Sequence, residues 1–358
     1  MSVKSYKCPN CGAGLAFKPD LQKFRCDYCL SEFTEAKIQE INKDIKTSQA
    51  ETEATVTPVS DPDNGIEKSH LASYECNSCG AHVVTDETTT ATFCYYCHNP
   101  VILSDRLSGS FEPNKMIPFT IDKEKAQAIF LSWATKNRYV PRSFYSSSQL
   151  EKITGIYLPY WWVDCEVGID YKGEGRAVKV WEADDLEYTE TKKYQILRTG
   201  NIQINNVEEL AFTKIDHDLL NGIAPYVETE AVPFSMPYLS GFFAEQFDIS
   251  KEIITPKIEQ QVQRSAKLLL DNTLPEYNAI EEKSRLVDIR SKKFNYTLLP
   301  AWILTYQYGG KTYVFAVNGQ TGKSFGELPI DSRKVFGVAT GIFAVASTAL
   351  FLGGMLLW

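Results

Sequence analysis

The chain has 358 residues and a hydrophobic fraction of 44%, so it is long enough for two or more domains with a sizeable core. Its formal net charge of −8 argues against a typical nucleic-acid-binding protein, because the binding faces of such proteins are usually basic. The first residues carry no apolar stretch of the kind that directs secretion. The nine cysteines are therefore expected in a reducing cytoplasm, where metal binding is commoner than disulfide formation.

Eight of the nine cysteines form two units with the same spacing, C-x2-C-x14-C-x2-C. In chain order they are Cys8, Cys11, Cys26, Cys29, Cys76, Cys79, Cys94 and Cys97. Four thiolates suit a tetrahedral Zn2+ whose coordination positions are all filled by protein, and a unit this small needs the metal in order to fold. We expect two structural zinc sites. Redox or disulfide pairs and iron–sulfur clusters are the competing interpretations, since they also use closely spaced cysteines.

Residues next to the cysteines give further expectations. Gly12 and Gly80 each follow the second cysteine of their unit, where a tight turn needs the backbone freedom of glycine. His82 and His98 lie near the second unit, but four cysteines already complete a tetrahedral site. We therefore expect both histidines to be surface residues or neighbours of the metal ligands.

The composition divides the chain into five parts. Zinc ribbon 1 is expected over residues 1–35, a flexible linker over 36–72 and zinc ribbon 2 over 73–106. Residues 35–46 could form a short helix, whereas residues 47–70 are polar, acidic and almost free of aromatic residues, as is typical of segments that do not fold alone. An α+β body is expected over 107–330 and a membrane helix over 335–358.

The body combines a few helices with many strands. Ala126, Ile129, Phe130 and Trp133 follow the i, i+3, i+4, i+7 pattern of an amphipathic helix. A second helix is predicted from Thr255 as N-cap, with Pro256 in the first turn. Elsewhere the body is rich in Val, Tyr and Trp, with Gly309–Gly310 and Asn318–Gly319 as hairpin turns.

Two stretches of the body are similar to each other. YLPYWWVDCEV begins at Tyr157 and LLPAWILTYQY begins at Leu298, and in both a proline precedes an apolar strand that contains tryptophan. Because a proline loses no ladder hydrogen bond at the first residue of a strand, we expect both prolines at strand starts. Two interpretations stay open: two core strands that start alike, or two related α+β halves formed by internal duplication.

Other features that suggest chemistry have simpler explanations. VNGQTGKS, residues 317–324, ends like a phosphate-binding loop, but Val317 occupies the first glycine position and a strand-like segment follows. A hairpin explains it better. Cys165 alternates with apolar residues and is expected to be an inert core thiol, and His217 lies between two aspartates as expected of a surface histidine. The sequence indicates no catalytic constellation, and we expect no enzyme.

The C-terminal segment, residues 335–358, carries no charge. A helix of this length reaches roughly 36 Å, enough to cross a bilayer core, although a buried core helix is the alternative. Arg333 and Lys334 precede it, so the positive-inside rule places the body in the cytoplasm. Gly337 and Gly341 form a G-x-x-x-G motif that permits close packing of two helices, which suggests a homo-oligomer.

The chain resembles a family of bacterial membrane-anchored zinc-ribbon proteins of the Bacillus YdjG type, often labelled TFIIB-type zinc ribbon or primosomal/helicase-like. The likeness is carried by CPNCG…CDYC, YLPYWW, PYLSGFFAEQFD and LLPAWILTYQYGGKTYVFAVNGQTGKSFGELP, and covers nearly the full length. The resemblance implies a membrane protein with no established activity, and a link to PspA-type envelope-stress systems.

The most economical functional interpretation is an adaptor that docks protein partners at the cytoplasmic membrane face. Residues 74–106 contain four acidic residues but only one basic residue, Arg106, so ribbon 2 is poorly equipped to bind phosphates. Ribbon 1 is only marginally basic, and a nucleic-acid-binding regulator that uses it is the alternative function. An enzyme would need a pocket within the body that the sequence does not show.

Overall fold

The computed structural model describes residues 3–48 and 71–356, with side chains described for 3–41 and 72–349. The predicted fold class is confirmed in outline, because the described part is a mixed α+β fold dominated by an 11-stranded sheet. The predicted helix after ribbon 1 is present over Glu35–Ser48. Most of the predicted linker, residues 49–70, lies outside the described residues.

The described strands and helices are numbered in chain order. The strands are β1 (Val3–Lys4), β2 (Leu15–Lys18), β3 (Lys23–Cys26), β4 (Glu32–Phe33), β5 (Leu71–Glu75), β6 (His82–Asp86), β7 (Thr89–Phe93), β8 (Pro100–Leu103), β9 (Lys115–Met116), β10 (Thr154–Ala183), β11 (Leu186–Leu210), β12 (Val232–Pro233), β13 (Phe243–Glu245), β14 (Ala279–Tyr308), β15 (Lys311–Asn318) and β16 (Ser324–Gly326). The α-helices are α1 (Glu35–Ser48), α2 (Lys123–Thr135), α3 (Ser147–Leu150), α4 (His217–Ile223), α5 (Lys251–Asp271) and α6 (Ser332–Leu356). Short 3-10 helices lie at Ser104–Leu107, Gly109–Phe111, Arg142–Tyr145, Glu228–Glu230 and Met236–Leu239.

The centre of the body is the antiparallel pair β10–β14, which contains the two similar stretches. Tyr157 pairs with Pro300, Leu158 with Leu299, and Pro159 with Leu298. The two stretches therefore pair with each other in opposite directions. Their pairing is symmetric about the Leu158–Leu299 pair. This placement is what two related halves would produce, and it is not required of two core strands that merely start alike.

The outer neighbours of β10 and β14 repeat the same relation. β13 pairs in parallel with Ile156 and Tyr157 of β10, and β9 pairs in parallel with Thr297 and Leu298 of β14. Further along, β11 pairs antiparallel with β10, and β15 pairs antiparallel with β14. Each long strand thus has first a short parallel neighbour and then a longer antiparallel one.

The two prolines lie inside the strands, so the expectation that they begin strands is wrong. The carbonyl oxygen of Pro159 accepts a hydrogen bond from Ala211 N, and that of Pro300 accepts one from Gly319 N, both over 2.9 Å. A residue's nitrogen and carbonyl point to the same side of a strand, so each proline nitrogen faces the outer edge. That edge is where the parallel neighbour ends and the antiparallel one begins, so no ladder bond is lost there.

The helices complete the matched pattern between a first half of the body, from β9 to β11, and a second half, from β13 to β15, since the helix of each half packs on the outer strand of the other. Phe130 of α2 lies 4.9 Å from the ring of Phe315 on β15, and Lys257 of α5 lies 2.6 Å from Glu209 on β11. The indole nitrogen of Trp161 donates to Ile249 O just before α5, and that of Trp302 donates to Ile121 O just before α2, each over 2.9 Å. The two tryptophans therefore fix the start of the two helices in the same way.

The helix predictions are confirmed in kind, with one wrong boundary. In α2, Ala126 and Phe130 are buried, as the periodicity predicts. α5 begins at Lys251, after Ser250, and not at Pro256 as predicted. Pro256 lies in the second turn, where its missing N–H costs only the bond to a residue of the first turn, and a proline is tolerated there more readily than deeper in the helix.

The far ends of β10, β11 and β14 extend from the body as an arm. A 30-residue strand such as β10 spans roughly 100 Å. Near the body, α5 covers one face of the arm with residues at i+4 spacing from Ile254 to Leu270. At the tip only two strands continue, and the stacked rings of Trp181 and Tyr188 are both largely exposed.

The central strands separate two layers of core. Tyr157, Trp161 and Val163 face the larger layer with α2 and α5, while Leu158 and Trp162 face a second layer with α4. This alternation buries both faces of β10 in the part of the strand that lies in the body.

Candidate metal centres

Ribbon 1 holds its cysteines on two knuckles, at which the chain turns back on itself. Gly12 N donates to Cys8 O over 2.8 Å, and Leu30 N donates to Cys26 O over 2.9 Å. Gly12 and Leu30 both adopt positive φ, at 76° and 60°. The β2–β3 hairpin then places the two knuckles beside each other, with Leu15 paired to Cys26.

Ribbon 2 has the same backbone geometry. Gly80 N donates to Cys76 O over 2.8 Å, and His98 N donates to Cys94 O over 2.9 Å. Gly80 and His98 have φ values of 71° and 56°. Gly12 and its counterpart in ribbon 2 lie in the tight turns that the sequence predicts, with positive φ. The second knuckle of each ribbon makes the same turn without glycine, at a cost of about 1 kcal/mol.

The structure brings the eight cysteines together in the two sets of four that their spacing indicates. Within each set the sulfur atoms all lie within 4.8 Å of one another. The short sulfur–sulfur distances are 3.5 Å for Cys8–Cys29 and Cys11–Cys26, 3.8 Å for Cys76–Cys97 and 3.7 Å for Cys79–Cys94. A tetrahedral site with Zn–S bonds of about 2.3 Å has edges of about 3.8 Å. Each cluster can therefore hold a metal ion with four protein ligands.

In each ribbon a hydrogen bond between an asparagine and a serine connects the two knuckles. The asparagine lies in the first knuckle of ribbon 1 but in the second knuckle of ribbon 2. In ribbon 1, Asn10 Nδ2 donates to Ser31 Oγ over 2.9 Å. In ribbon 2, Asn99 Nδ2 donates to Ser78 Oγ. Asn10 and Ser78 occupy the same place in the first knuckle, as Ser31 and Asn99 do in the second. The sequence analysis missed these residues, although aligning the two units would have found them.

One thiol in each cluster is unusually acidic. Hydrogen bonds from the Ser31 hydroxyl and backbone lower the pKa of Cys29 to about 6. Burial raises the pKa of Cys94, but backbone hydrogen bonds from Cys97 and Tyr96 outweigh it and lower that pKa to about 7. Because metals bind the thiolate, these two cysteines are the readiest ligands near neutral pH.

Ribbon 1 packs on the body through side-chain contacts and several hydrogen bonds. Phe17 N donates to Ser240 O over 2.9 Å, and Ser240 Oγ donates to Leu15 O over 2.5 Å. Tyr238 packs edge-on against Phe17 at 4.9 Å, and its hydroxyl donates to Glu35 over 3.0 Å. β2, β3 and β4, which carry the knuckles, form a separate three-stranded sheet, whereas the N-terminal β1 pairs with β8 at the edge of the large sheet.

Ribbon 2 is continuous with the body. Its first hairpin, β5–β6, is a separate two-stranded sheet, but its second hairpin, β7–β8, belongs to the large sheet. β7 pairs with β13 through Ala91 and Ala244, and β8 pairs with β1 through Leu103 and Val3. The second knuckle, which carries Cys94, is therefore held between strands of the body sheet.

The second knuckles expose large side chains at their tips. Tyr28 is 85% exposed in ribbon 1, and Tyr95 and Tyr96 are 69% and 71% exposed in ribbon 2. A cleft of 740 Å³ is lined by Leu30 from ribbon 1, Phe93 from ribbon 2 and residues of the body. The two ribbons thus border one concave surface.

The other residues that the sequence analysis discussed are not members of either cysteine cluster. His82 and His98 are exposed, as expected of surface residues. Cys165 is buried in the core, and burial raises its pKa. His217 is half-buried at the start of α4. Residues 317–324 form the turn of the β15–β16 hairpin, which confirms the hairpin interpretation.

The predicted membrane segment coincides with α6. Most of its described apolar side chains are exposed, among them Phe336 at 75% and Phe343 at 74%. Among the residues that the structure describes, no helix combines the length and the apolar character needed to cross a membrane. The side chains of residues 350–358, which complete the predicted segment, lie outside the described residues.

Comparison with known proteins shows a relative that matches almost end to end. The chain is 31% identical over 357 residues to the uncharacterized protein YdjG of Bacillus subtilis (strain 168), and the match covers 98% of this chain and 99% of YdjG. The chain belongs to the YdjG family. The match includes both cysteine units, the body and the C-terminal segment. No protein-family model matches the chain, and no solved structure matches it.

Proposed function

We propose that the chain is a membrane-anchored zinc-ribbon adaptor that docks protein partners at the cytoplasmic face of the cell membrane. The observation that carries the proposal is the exposure of Tyr28, Tyr95 and Tyr96 on the second knuckles of the ribbons. Aromatic side chains are enriched in protein interfaces, where they supply much of the binding energy. A metal that fills all its positions with protein ligands makes such a knuckle rigid without adding reactivity.

The metal in this proposal is zinc, with one ion in each cluster. In each cluster the short sulfur–sulfur distances are 3.5–3.8 Å and all four sulfur atoms lie within 4.8 Å of one another, which fits tetrahedral Zn2+ and supports the TFIIB-type ribbon that the resemblance implies. Elemental analysis of the purified chain should find two zinc ions per chain. Iron in place of zinc, or free thiols without metal, would overturn this assignment.

The anchor in this proposal is α6, in a single pass with the body on the cytoplasmic side. Support comes from the exposed apolar side chains of its described part and from the uncharged sequence that continues to Trp358. Water-exposed apolar surface on all sides of a helix is unfavourable, and a bilayer removes it. Gly337 and Gly341 are exposed on the same helix, so two copies can pack closely there.

The partner in this proposal is a protein, and PspA-type membrane-stress proteins are the candidates. Nucleic acid is disfavoured in part because two of the four lysines of ribbon 1 are already paired with acids. Lys18 lies 2.9 Å from Asp27, and Lys23 lies 3.1 Å from Glu32. Breaking those pairs would offset part of the gain from phosphate contacts.

The experiment is co-purification of the full chain with the PspA-type protein of the same cell, from solubilised membranes. The double variant Tyr28→Ser, Tyr96→Ser should reduce recovery about tenfold or more, because each tyrosine is a candidate interface anchor. The matched control is Tyr188→Ser, Tyr194→Ser, which removes two exposed tyrosines from the arm and should leave recovery unchanged.

Zinc content must stay at two per chain in both variants, so that loss of folding is not mistaken for loss of binding. Equal recovery with the knuckle variant would overturn the docking surface. A salt-sensitive gel shift of the full chain with DNA or RNA, lost in the variant Lys7→Gln, Arg25→Gln, would instead support the nucleic-acid-binding alternative.

A further inference from the structure

Five basic residues surround the place where α6 leaves the body. Lys136, Arg138 and Arg142 lie on the segment that follows α2, and Arg333 and Lys334 lie in the first turn of α6. We call these five residues the basic collar. Lys136, Arg138, Arg142 and Arg333 are exposed. In a chain whose net charge is −8, such a local excess of positive charge is unexpected.

The two segments of the collar are held together by hydrogen bonds. Asp331 N donates to Tyr139 O over 2.8 Å, and Lys334 Nζ donates to Val140 O over 2.6 Å. Tyr139 and Val140 lie between Arg138 and Arg142 in sequence. The charges that follow α2 are therefore fixed beside the first turn of α6 and do not depend on a mobile connection.

The collar is not neutralised by neighbouring acids. In the described part of the chain, none of its five members forms an ion pair with a carboxylate, whereas lysines of ribbon 1 and of α5 do. Residues 136–142 contain no acidic residue, and residues 331–334 contain only Asp331. The Asp331 carboxylate accepts a hydrogen bond from Arg333 N over 3.0 Å. The charges of the four exposed members of the collar are thus free to meet an anionic ligand, while Lys334 holds the two segments together through Val140 O.

We propose that the basic collar binds the phosphates of anionic lipid headgroups and so fixes the orientation of the body on the membrane surface. The proposal rests on the membrane anchoring by α6 proposed above, since the anchor brings the collar to headgroup level. Each Lys or Arg close to an anionic surface strengthens the association about fivefold at low ionic strength. The attraction acts over about 10 Å at 0.1 M salt, so only charges beside the anchor contribute.

The test is hydrogen exchange of the full chain in lipid nanodiscs of two compositions, phosphatidylcholine alone and phosphatidylcholine with about 30% phosphatidylglycerol. The amides of residues 136–143 should exchange several times more slowly in the anionic discs, and the difference should disappear at high salt. The variant Lys136→Gln, Arg138→Gln, Arg142→Gln should lose this difference. The matched control Lys172→Gln, Arg176→Gln, Lys193→Gln, with the same charge change on the arm, should keep it.

The possible results distinguish a failure of the lipid contact from a failure of the membrane anchor. Equal exchange in the two compositions, or an equal effect of the control variant, overturns the lipid contact while α6 still anchors the chain. The same protection produced in neutral discs by added glycerol phosphate means that the collar binds a free phosphate, which also overturns the assignment to lipid. Failure of the chain to enter either type of disc overturns the anchoring, and the lipid contact falls with it.

Discussion

The two ribbons have the same cysteine spacing and the same knuckle geometry, yet they join the body in different ways. Ribbon 1 keeps its own three-stranded sheet and contacts the body through Tyr238 and Ser240. Ribbon 2 gives its second hairpin to the sheet of the body. Metal binding at Cys94 therefore supports strands that the body shares, whereas metal binding at Cys26 supports a unit attached at its surface.

The difference shows that a cysteine spacing specifies the geometry of a metal site. It does not specify how the ribbon that holds the site is connected to the rest of the fold. The knuckles depend on residues within a few positions of the cysteines, and these are equivalent in the two ribbons. The connection to the body depends on strands distant in sequence, such as β13. Equivalent mutations in the two ribbons can therefore measure how strongly each ribbon is coupled to the body.

The largest difference should come from the metal ligands themselves. Cys94→Ser should lower the unfolding midpoint of the body by about 5–10 °C, because loss of the metal frees strands that belong to its sheet. Cys26→Ser should lower it by less than about 3 °C, while removing one zinc ion in the same way. The tryptophans all lie outside both ribbons, five of them in the body and Trp358 in the C-terminal segment, so their fluorescence does not report on the ribbons themselves. Equal shifts would show that both ribbons are equally coupled to the body.

A smaller effect should follow from weakening the attachment of ribbon 1. Tyr238→Ala removes the ring contacts with Phe17 and Phe24, at 4.9 and 5.9 Å, and the hydrogen bond to Glu35. We expect a loss of about 2 kcal/mol at this contact, seen as faster limited proteolysis after ribbon 1 with both zinc ions retained. Unchanged proteolysis would mean that Ser240 and its backbone contacts suffice.

The acid sensitivity of the two sites should also differ. Ser31 lowers the pKa of Cys29 to about 6, so this thiolate competes well with protons until the pH falls toward that value. Ser31→Ala should raise the pKa of Cys29 and shift the half-release of one zinc ion to higher pH, by about half a unit. The control Ser78→Ala, in ribbon 2, contacts Asn99 and should leave both release curves unchanged. The measurement is zinc release to a coloured chelator as a function of pH.

The smallest effect should be equal in the two ribbons. A Cβ added at Gly12 meets nothing within 4 Å, and one added at Gly80 meets only Glu75 Oε1 at 3.9 Å. Gly12→Ala and Gly80→Ala therefore cost only the backbone strain of positive φ, about 1 kcal/mol each, or about fivefold in zinc affinity. Leu30→Gly should relieve the same strain and change the affinity in the opposite direction. Unequal losses at the two glycines would show that the first knuckles are not equivalent.

Local features were predictable from the sequence, and long-range pairings were not. The grouping of the cysteines follows from a spacing contained in one small unit, and the turn at Gly12 and the buried face of α2 each depend on residues a few positions apart. The entry of β7 into the large sheet depends on β13, which lies far away in sequence. The interior position of Pro159 depends on where two neighbouring strands end, which no local pattern indicates.

One available signal was overlooked. Phe119-Thr-Ile-Asp-Lys-Glu precedes α2, and Phe247-Asp-Ile-Ser-Lys-Glu precedes α5, so the two helices begin with the same F-x-I-x-K-E sequence. Ile121 and Ile249 in these stretches are the residues whose carbonyls bind Trp302 and Trp161. Together with the two proline–tryptophan stretches, this repeat would have favoured related halves over two strands that merely start alike.

The crossed contacts between β10 and β14 make the two halves of the body inseparable. Each half supplies a short strand, β9 or β13, to the long strand of the other half, and each supplies a helix to the other half's outer strand. A chain cut between the halves would leave an open sheet edge and an uncovered apolar face on both pieces. The body is thus closed in the manner of a strand-exchanged dimer, except that its two subunits are consecutive parts of one polypeptide.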